Sequence, residues 1–79
     1  MNKPDHQITI HIDRKPYKVD AEHLTGRQMR ALPNPDISAL YELKLDVPGG
    51  TDTVVGDDDP VELRNWQHFY SVQRNTNPG

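Results

Sequence analysis

The stretch Ile8-Thr9-Ile10-His11-Ile12-Asp13-Arg14-Lys15-Pro16-Tyr17-Lys18-Val19 decides the fold of this chain. Apolar and polar residues alternate in its first five positions and again in residues 17–19, a period of two that is typical of strands with one buried face. Residues 13–16 favour a turn, and the proline among them cannot donate a hydrogen bond to a neighbouring strand. The stretch therefore predicts an antiparallel β-hairpin after a flexible N-terminus over residues 1–7.

A short helix is predicted after the hairpin. Thr25 and Gln28 have the spacing of a capping box in which Thr25 is the N-cap. Because Pro33 cannot continue a helix, we expect the helix to end near Leu32. Gly26 lies inside the predicted helix, where a glycine costs roughly 1 kcal/mol relative to alanine.

Further apolar segments predict the rest of a sheet. Residues 40–45 have strand patterning, residues 54–55 and 61–63 supply short apolar contacts, and residues 69–72 form the last strand. The acidic residues 57–59 fall in a turn and lack the spacing of a calcium-binding loop.

The order hairpin, helix, strand, irregular segment and strand is that of a β-grasp fold, an α+β architecture. We expect a mixed sheet of four to five strands, with the first and last strands parallel at its centre and the helix packed on one face. This domain spans residues 8–72 and is followed by a flexible tail over residues 73–79. Its buried core is expected to include Ile10, Leu32, Leu43 and Phe69.

Length and composition limit the classes of function. A chain of 79 residues holds one domain. Its formal net charge of −3 gives no general attraction to nucleic acid, and the absence of cysteine excludes a thiol nucleophile on this chain. No apolar run approaches the roughly 20 residues that span a membrane, and no signal peptide is recognisable. We expect a cytoplasmic protein with no membrane or nucleic-acid partner.

The closing segment Gln73-Arg74-Asn75-Thr76-Asn77-Pro78-Gly79 contains no residue that would bury itself in a core, so we expect it to project into solvent. A terminal glycine has no side chain around its carboxylate, which can therefore enter a narrow enzyme channel. Carrier proteins of the ubiquitin type use this combination of a compact body and a threadable glycine. An ordinary frayed terminus is the alternative interpretation.

Several short motifs stand in a characteristic order along the chain: the opening strand and turn at residues 8–17, Leu24-Thr25-Gly26-Arg27-Gln28, Pro60-Val61-Glu62-Leu63, and Phe69-Tyr70 with the closing Asn77-Pro78-Gly79. Their order and spacing resemble the bacterial multiubiquitin family of prokaryotic ubiquitin-like modifiers. The resemblance extends from residue 8 to residue 79.

The resemblance implies a modifier protein that is not itself an enzyme and binds no cofactor. An activating enzyme would adenylate the carboxylate of Gly79 with ATP, a conjugating enzyme would receive it as a thioester, and a target protein would accept it. A zinc isopeptidase would reverse the reaction, and the enzymes would contact the tail at Arg74, Asn77 and Pro78. Two departures matter: this chain has one domain where many members have several, and Pro78 stands where ubiquitin has a glycine.

Two candidates for an exposed partner surface, Tyr70 and Trp66, lie before the tail, and a third candidate, Arg74, lies within it. If Phe69 faces the core, alternation turns Tyr70 outward, where it is a candidate partner surface. Trp66 is a second candidate for that surface, although we favour its folding back over the small core. Arg74 is expected either to pair with an acidic enzyme surface or to be solvated. The four histidines fit no usual zinc spacing and are expected at the surface.

Two other functions stay open. A sulfur carrier of the thiamin or molybdopterin type shares the fold, but such carriers end in two glycines. A β-grasp module that binds a partner without being conjugated would leave the tail idle.

Overall fold

The computed structural model of the protein describes residues 7–74. Its elements are β1 (Ile8–Ile12), β2 (Lys15–Val19), β3 (His23–Thr25), α1 (Gly26–Arg30), β4 (Tyr41–Leu45), β5 (Thr53–Val55), β6 (Pro60–Glu62) and β7 (His68–Gln73). Five strands form one sheet in the order β2-β1-β7-β4-β5, and β3 pairs with β6 separately. Strands β1 and β7 are parallel, and the other pairs are antiparallel. The predicted mixed sheet with parallel first and last strands and one short helix is confirmed.

The first hairpin is tighter than predicted. Strands β1 and β2 pair from Ile8 opposite Val19 to Ile12 opposite Lys15, which leaves only Asp13 and Arg14 in the loop. Both loop residues have positive φ angles, 52° and 72°, as the two-residue turns that fit twisted strands require. The predicted four-residue turn was wrong because Pro16 belongs to β2, where it is tolerated since β2 is an edge strand.

The capping box at the start of α1 is confirmed. The Thr25 hydroxyl accepts a hydrogen bond from the Gln28 N–H at 3.3 Å, and the Gln28 side chain accepts one from the Thr25 N–H at 2.8 Å. The helix ends at Arg30 with Ala31 as its C-cap, so the predicted end near Leu32 was wrong. The N–H groups of Ala31 and Leu32 still bond to carbonyls one turn back, which closes the helix before Pro33.

A close backbone approach explains the glycine at the first position of α1. A Cβ atom on Gly26 would lie 2.1 Å from the carbonyl oxygen of Gly56. The N–H groups of Gly26 and Arg27 donate to the carbonyls of Asp59 and Asp57 at 3.2 and 3.0 Å. The acidic turn thus satisfies two helix N–H groups that would otherwise lack partners. Its carbonyls approach this closely because residue 26 has no side chain.

The strand pair β3–β6 was not predicted. Leu24 lies opposite Val61, and both side chains are half-buried against the core. Each strand has three residues, too few for an alternating pattern to stand out in the sequence.

The core lies between the five-stranded sheet and α1. The structure confirms burial of Ile10, Leu43 and Phe69, whereas Leu32 is only half-buried because it follows the end of the helix. The buried apolar side chains are Ile10, Ile12, Val19, Met29, Leu43, Val55, Leu63 and Phe69. Met29 is the helical residue that fills the core.

A carboxylate joins the hairpin turn to the last strand. Asp13 accepts hydrogen bonds from the Ser71 N–H at 2.9 Å and from the Ser71 hydroxyl at 2.6 Å, while its own N–H donates to the Phe69 carbonyl. The parallel pairing of β1 with β7 is thereby continued by a side chain past the end of β1.

Within residues 7–74, no helix is long and apolar enough to cross a membrane.

Replacing Gly26 with alanine should destabilise the protein, although alanine is the better helix former. Overpacking costs about 1–3 kcal/mol and outweighs the roughly 1 kcal/mol gained in helix propensity. Urea unfolding of Gly26→Ala should show the loss. Gly49→Ala is the control, because a Cβ there meets nothing within 4 Å and only the φ of 78° is disfavoured. A Gly26→Ala protein more stable than wild type would contradict the close approach.

Core truncations should separate the buried from the half-buried positions. Leu43→Ala and Phe69→Ala should each lower the free energy of unfolding by about 2–5 kcal/mol, because each leaves a cavity in the core. Leu32→Ala, which removes a half-buried side chain, should cost clearly less. Thermal unfolding monitored by circular dichroism measures all three, and equal losses at Leu32 and Leu43 would contradict the burial described above.

Candidate functional site

The chain leaves the sheet at the end of its central strand β7. Gln73, assigned from the sequence to the tail, is the last residue of β7 and lies opposite Tyr41. The next residue, Arg74, donates from its backbone N–H to the Leu40 carbonyl and from Nε to the Ala39 carbonyl, both at 2.8 Å. The chain is therefore fixed to the body through Arg74. The predicted contact residues Asn77 and Pro78 and the predicted conjugation site Gly79 lie outside the described residues.

Arg74 contacts the body of the protein, a contact that neither sequence expectation included, and its pairing with an enzyme stays a prediction. Its side chain is exposed, yet Nε is bonded within the protein. Arg74 thus anchors the start of the tail, a role that neither a solvated arginine nor an enzyme-pairing one required. We call Arg74 together with Leu40 and Tyr41 the tail root.

The tail root exposes two large apolar side chains that sequence reasoning did not single out. Leu40 is 66% exposed and Tyr41 39% exposed. Arg30 holds the backbone beneath them, because its guanidinium donates to the Tyr41 carbonyl at 2.8 Å and to the Ser38 carbonyl. Alternation along residues 40–45 was the available signal for Leu40, because it separates Leu40 from the buried Leu43. The same alternation places Tyr41 on the face of Leu43, so it gives no sign that Tyr41 is exposed.

Tyr70 faces away from the core but is not a free side chain. It neighbours the buried Phe69 in β7 and is half-buried. Its hydroxyl donates to a carboxylate oxygen of Asp52, whose other oxygen accepts from the Val47 N–H at 3.0 Å. Asp52 thus connects the loop after β4 to the outer face of β7. The predicted outward orientation of Tyr70 is confirmed, and the side chain also holds this loop.

The Tyr70–Asp52 hydrogen bond raises the pKa of Tyr70 and lowers the pKa of Asp52. The bond to Asp52, with some burial, raises the pKa of Tyr70 from 10.0 to about 12. The same bond and the Val47 N–H lower the pKa of Asp52 from 3.8, since both favour the carboxylate.

Trp66 lies at the opposite end of β7 and is 66% exposed, so our expectation that it packs over the core was wrong. Its φ of 72° is in the left-handed region that bulky residues rarely adopt. The backbone around it is fixed to β1: the Trp66 N–H donates to the Thr9 carbonyl at 2.7 Å, and the Thr9 N–H donates to the Asn65 side chain at 2.8 Å. These bonds to β1 fix the conformation that directs the indole away from the core.

Two histidines extend the Trp66 ring into an aromatic row. His11 and His68 are register partners on β1 and β7, with parallel rings whose centroids are 4.8 Å apart. The His11 ring centroid lies 6.1 Å from that of Trp66. Nδ1 of His11 is buried without a hydrogen-bond partner. In residues 7–74, no three histidine, cysteine, aspartate or glutamate side chains converge as metal ligands.

The acidic turn has a partner on the helix. Asp58 lies 3.2 Å from the Arg27 guanidinium, but both side chains are largely exposed, so the pair contributes little to stability. Asp59 accepts a hydrogen bond from the Gly56 N–H at 2.8 Å and shapes the turn. The turn is solvent-exposed as predicted, and its backbone also caps α1.

Comparison with protein-family models, with curated proteins and with solved structures gives no match to this chain. Membership of the multiubiquitin family therefore stays a prediction.

The Tyr70–Asp52 bond should make stability depend on pH at both extremes. Because the folded-state pKa of Asp52 is lowered, its stabilisation is present above 3.8 and lost as pH falls through the folded value. Because that of Tyr70 is raised, its stabilisation is present below pH 10 and lost as pH rises through about 12. Urea unfolding across both windows measures these losses.

Tyr70→Phe is the matched control for this pH dependence, since it removes the hydroxyl and keeps the ring. Its stability should change less than that of wild type in both windows, and the tyrosinate absorbance that develops near pH 12 should disappear. Identical pH profiles for the two proteins would show that the bond does not form in solution.

Proposed function

We propose that this protein is a ubiquitin-like modifier with a β-grasp fold, whose Gly79 carboxylate is activated and joined to a target amine. The observation that carries the proposal is topological. The last strand occupies the centre of the sheet beside the first strand and parallel to it, and the chain leaves it at a fixed point. In a domain built in this way, the residues that come after β7 begin at one defined position.

The chemistry needs little from the modifier itself. The Gly79 carboxylate attacks the α-phosphate of ATP, which gives an acyl adenylate and releases pyrophosphate. A thiolate of the activating enzyme displaces AMP to form a thioester, and a target amine displaces the thiolate to form an amide, losing a proton. The thiols belong to partner enzymes, since this chain has no cysteine.

The tail root supplies a docking surface of suitable chemistry for such enzymes. Leu40 and Tyr41 are exposed beside the exit of the chain, and Arg74 is fixed between them and β7. Aromatic side chains are enriched at protein interfaces, and a fixed backbone lowers the entropic cost of binding. An enzyme that binds this surface would hold Arg74, from which the tail begins, at a fixed position relative to its active site.

Removing Gly79 should abolish activation and leave the fold intact. Acyl transfer needs that carboxylate, and a change at the end of a polar segment with no core-forming residue should alter the free energy of unfolding by less than about 0.5 kcal/mol. The test incubates the chain ending at Gly79, and the chain lacking it, with the candidate activating enzyme and ATP. Intact mass spectrometry then detects the adenylate, and non-reducing gels detect the thioester.

Asn75→Ala is the matched control, because it changes the tail without touching the reacting group and should be activated like wild type. Activation of the chain that lacks Gly79 would overturn the proposed mechanism. If Gly79 acquires a thiocarboxylate and no conjugate forms, the sulfur-carrier function would take the place of the modifier function.

A further inference from the structure

The two edges of the five-stranded sheet differ in how they are protected against pairing with another chain. Strand β2 forms one edge and contains Lys15, Pro16 and Lys18. Lysine and proline are residues with which proteins keep an edge strand from recruiting a further strand. Strand β5 forms the other edge and consists of Thr53–Val55, three β-branched residues that favour pairing. The β5 edge is therefore the less protected one.

The backbone of Val54 faces this free edge. Along a strand, the hydrogen bonds of successive residues point to alternate sides. The Asp46 N–H donates to the His68 carbonyl and continues the ladder between β4 and β7, so the even-numbered residues of β4 bond to β7 and the odd-numbered ones bond to β5. Odd-numbered residues of β4 face odd-numbered residues of β5, which leaves the N–H and carbonyl of Val54 pointing outward. No segment within residues 7–74 bonds to them.

The side chain of Val54 is 50% exposed, so one residue offers both an apolar contact and an unpaired backbone. The open stretch is short, because α1 covers the edge at Gly56, whose carbonyl oxygen would lie 2.1 Å from a Cβ atom on Gly26. An added strand can therefore pair at Val54 and continue only towards Asp52. Because so few backbone bonds are available, other contacts must supply most of the affinity.

The loops on both sides of β5 supply negative charge. Residues 46–59 contain five aspartates and no lysine or arginine. Two of the aspartates precede β5 and three follow it, namely Asp46, Asp52, Asp57, Asp58 and Asp59. The cations placed beside them are Lys44, the register partner of Val54, and Arg27, whose guanidinium lies 3.2 Å from Asp58. Two cations leave three of the five carboxylates unbalanced.

These charges decide which chain can pair at β5. Two copies of this protein joined through β5 would bring the unbalanced carboxylates of both copies together, and like charges across an interface cost affinity. A segment with lysine or arginine on either side of its paired residue meets complementary charge instead. We propose that the β5 edge binds an extended basic segment of another protein, which adds to the sheet as a further strand beside Val54.

The test is selection of a random phage-displayed peptide library on the immobilised full chain. Enriched peptides should carry lysine or arginine on both sides of β-branched or aromatic residues. Synthetic copies are then titrated into the isotope-labelled full chain and followed by NMR. The amide signals of residues 52–56 should shift, and hydrogen exchange at the Val54 amide should slow because it gains a partner. Affinity should fall as salt rises, since exposed charges are screened.

Val54→Pro is the test variant, because proline removes an N–H that faces the free edge and leaves the ladder to β4 intact. Thermal unfolding checks that the variant keeps the fold. Binding of the selected peptides, measured by calorimetry, should weaken by about tenfold, since a backbone bond and the valine contact are both lost. Lys18→Ala is the matched control at the opposite edge of the sheet and should bind like wild type.

A charge exchange keeps the proposal testable even if the Val54 variant fails to fold. Asp57 and Asp58 are exposed, so replacing both with lysine leaves the packing unchanged. Asp57→Lys combined with Asp58→Lys should weaken basic peptides and admit versions in which glutamate replaces their lysine and arginine residues. Asp59 is kept, because its carboxylate accepts the Gly56 N–H and shapes the turn.

Several results would overturn the proposal. These are no enrichment above the uncoated support, enriched peptides without net positive charge, amide shifts confined to residues outside 52–56, equal affinity for a folded Val54→Pro protein, and self-association of the chain that Val54→Pro abolishes. The chain lacking Gly79 should bind the peptides like wild type. Loss of peptide binding and loss of activation at Gly79 are therefore separate outcomes, and failure of the modifier function leaves this proposal standing.

Discussion

The scarcity of apolar side chains is the constraint on which the rest of the structure depends. Within residues 7–74, eight apolar residues form the buried core, and a domain of this size buries only about 60% of its unfolded surface. Irregular connections cannot be held by packing alone. Polar side chains bond to the backbone instead: Arg30 holds the segment before β4, Asp52 holds the loop after it, and Asn65 holds the segment before β7. Each of these bonds satisfies a backbone group that a longer chain would cover with a second layer of structure.

The parts of the fold that local chemistry determines could be predicted from the sequence. Alternation predicted β1, β4 and β7, and the capping box predicted where α1 begins. The predicted end of the helix was wrong because Pro33 prevents the helix from continuing but does not require every residue before it to be helical. Gly26 was judged by helix propensity alone, whereas the backbone of Gly56, far away in the sequence, decides what fits there. Sequence patterns contain no record of such a long-range approach.

The candidate site was predictable to a smaller degree. The sequence indicated that a tail begins near Arg74, but the partners of Arg74 are carbonyl groups, which every residue has, so no residue type signals them. Trp66 was expected to pack against the core because a large aromatic side chain can cover much of a small hydrophobic core. Its exposure results from a turn whose backbone is fixed by β1, a contact between residues more than fifty positions apart. The stacked rings of His11 and His68 follow from the parallel register, which alternation alone does not supply.

The parallel arrangement of β1 and β7 also determines how the domain responds to force. The start of β1 and the end of β7 lie at opposite ends of the pair, so tension applied through the two ends of the chain slides one strand along the other. The bonds from His11 to Gln67 and from Asp13 to Phe69 and Ser71 then bear the load together. An antiparallel pair pulled from one end would open one bond at a time. Tension along β1 and β7 therefore loads these hydrogen bonds in shear, and they must break together before the two strands separate.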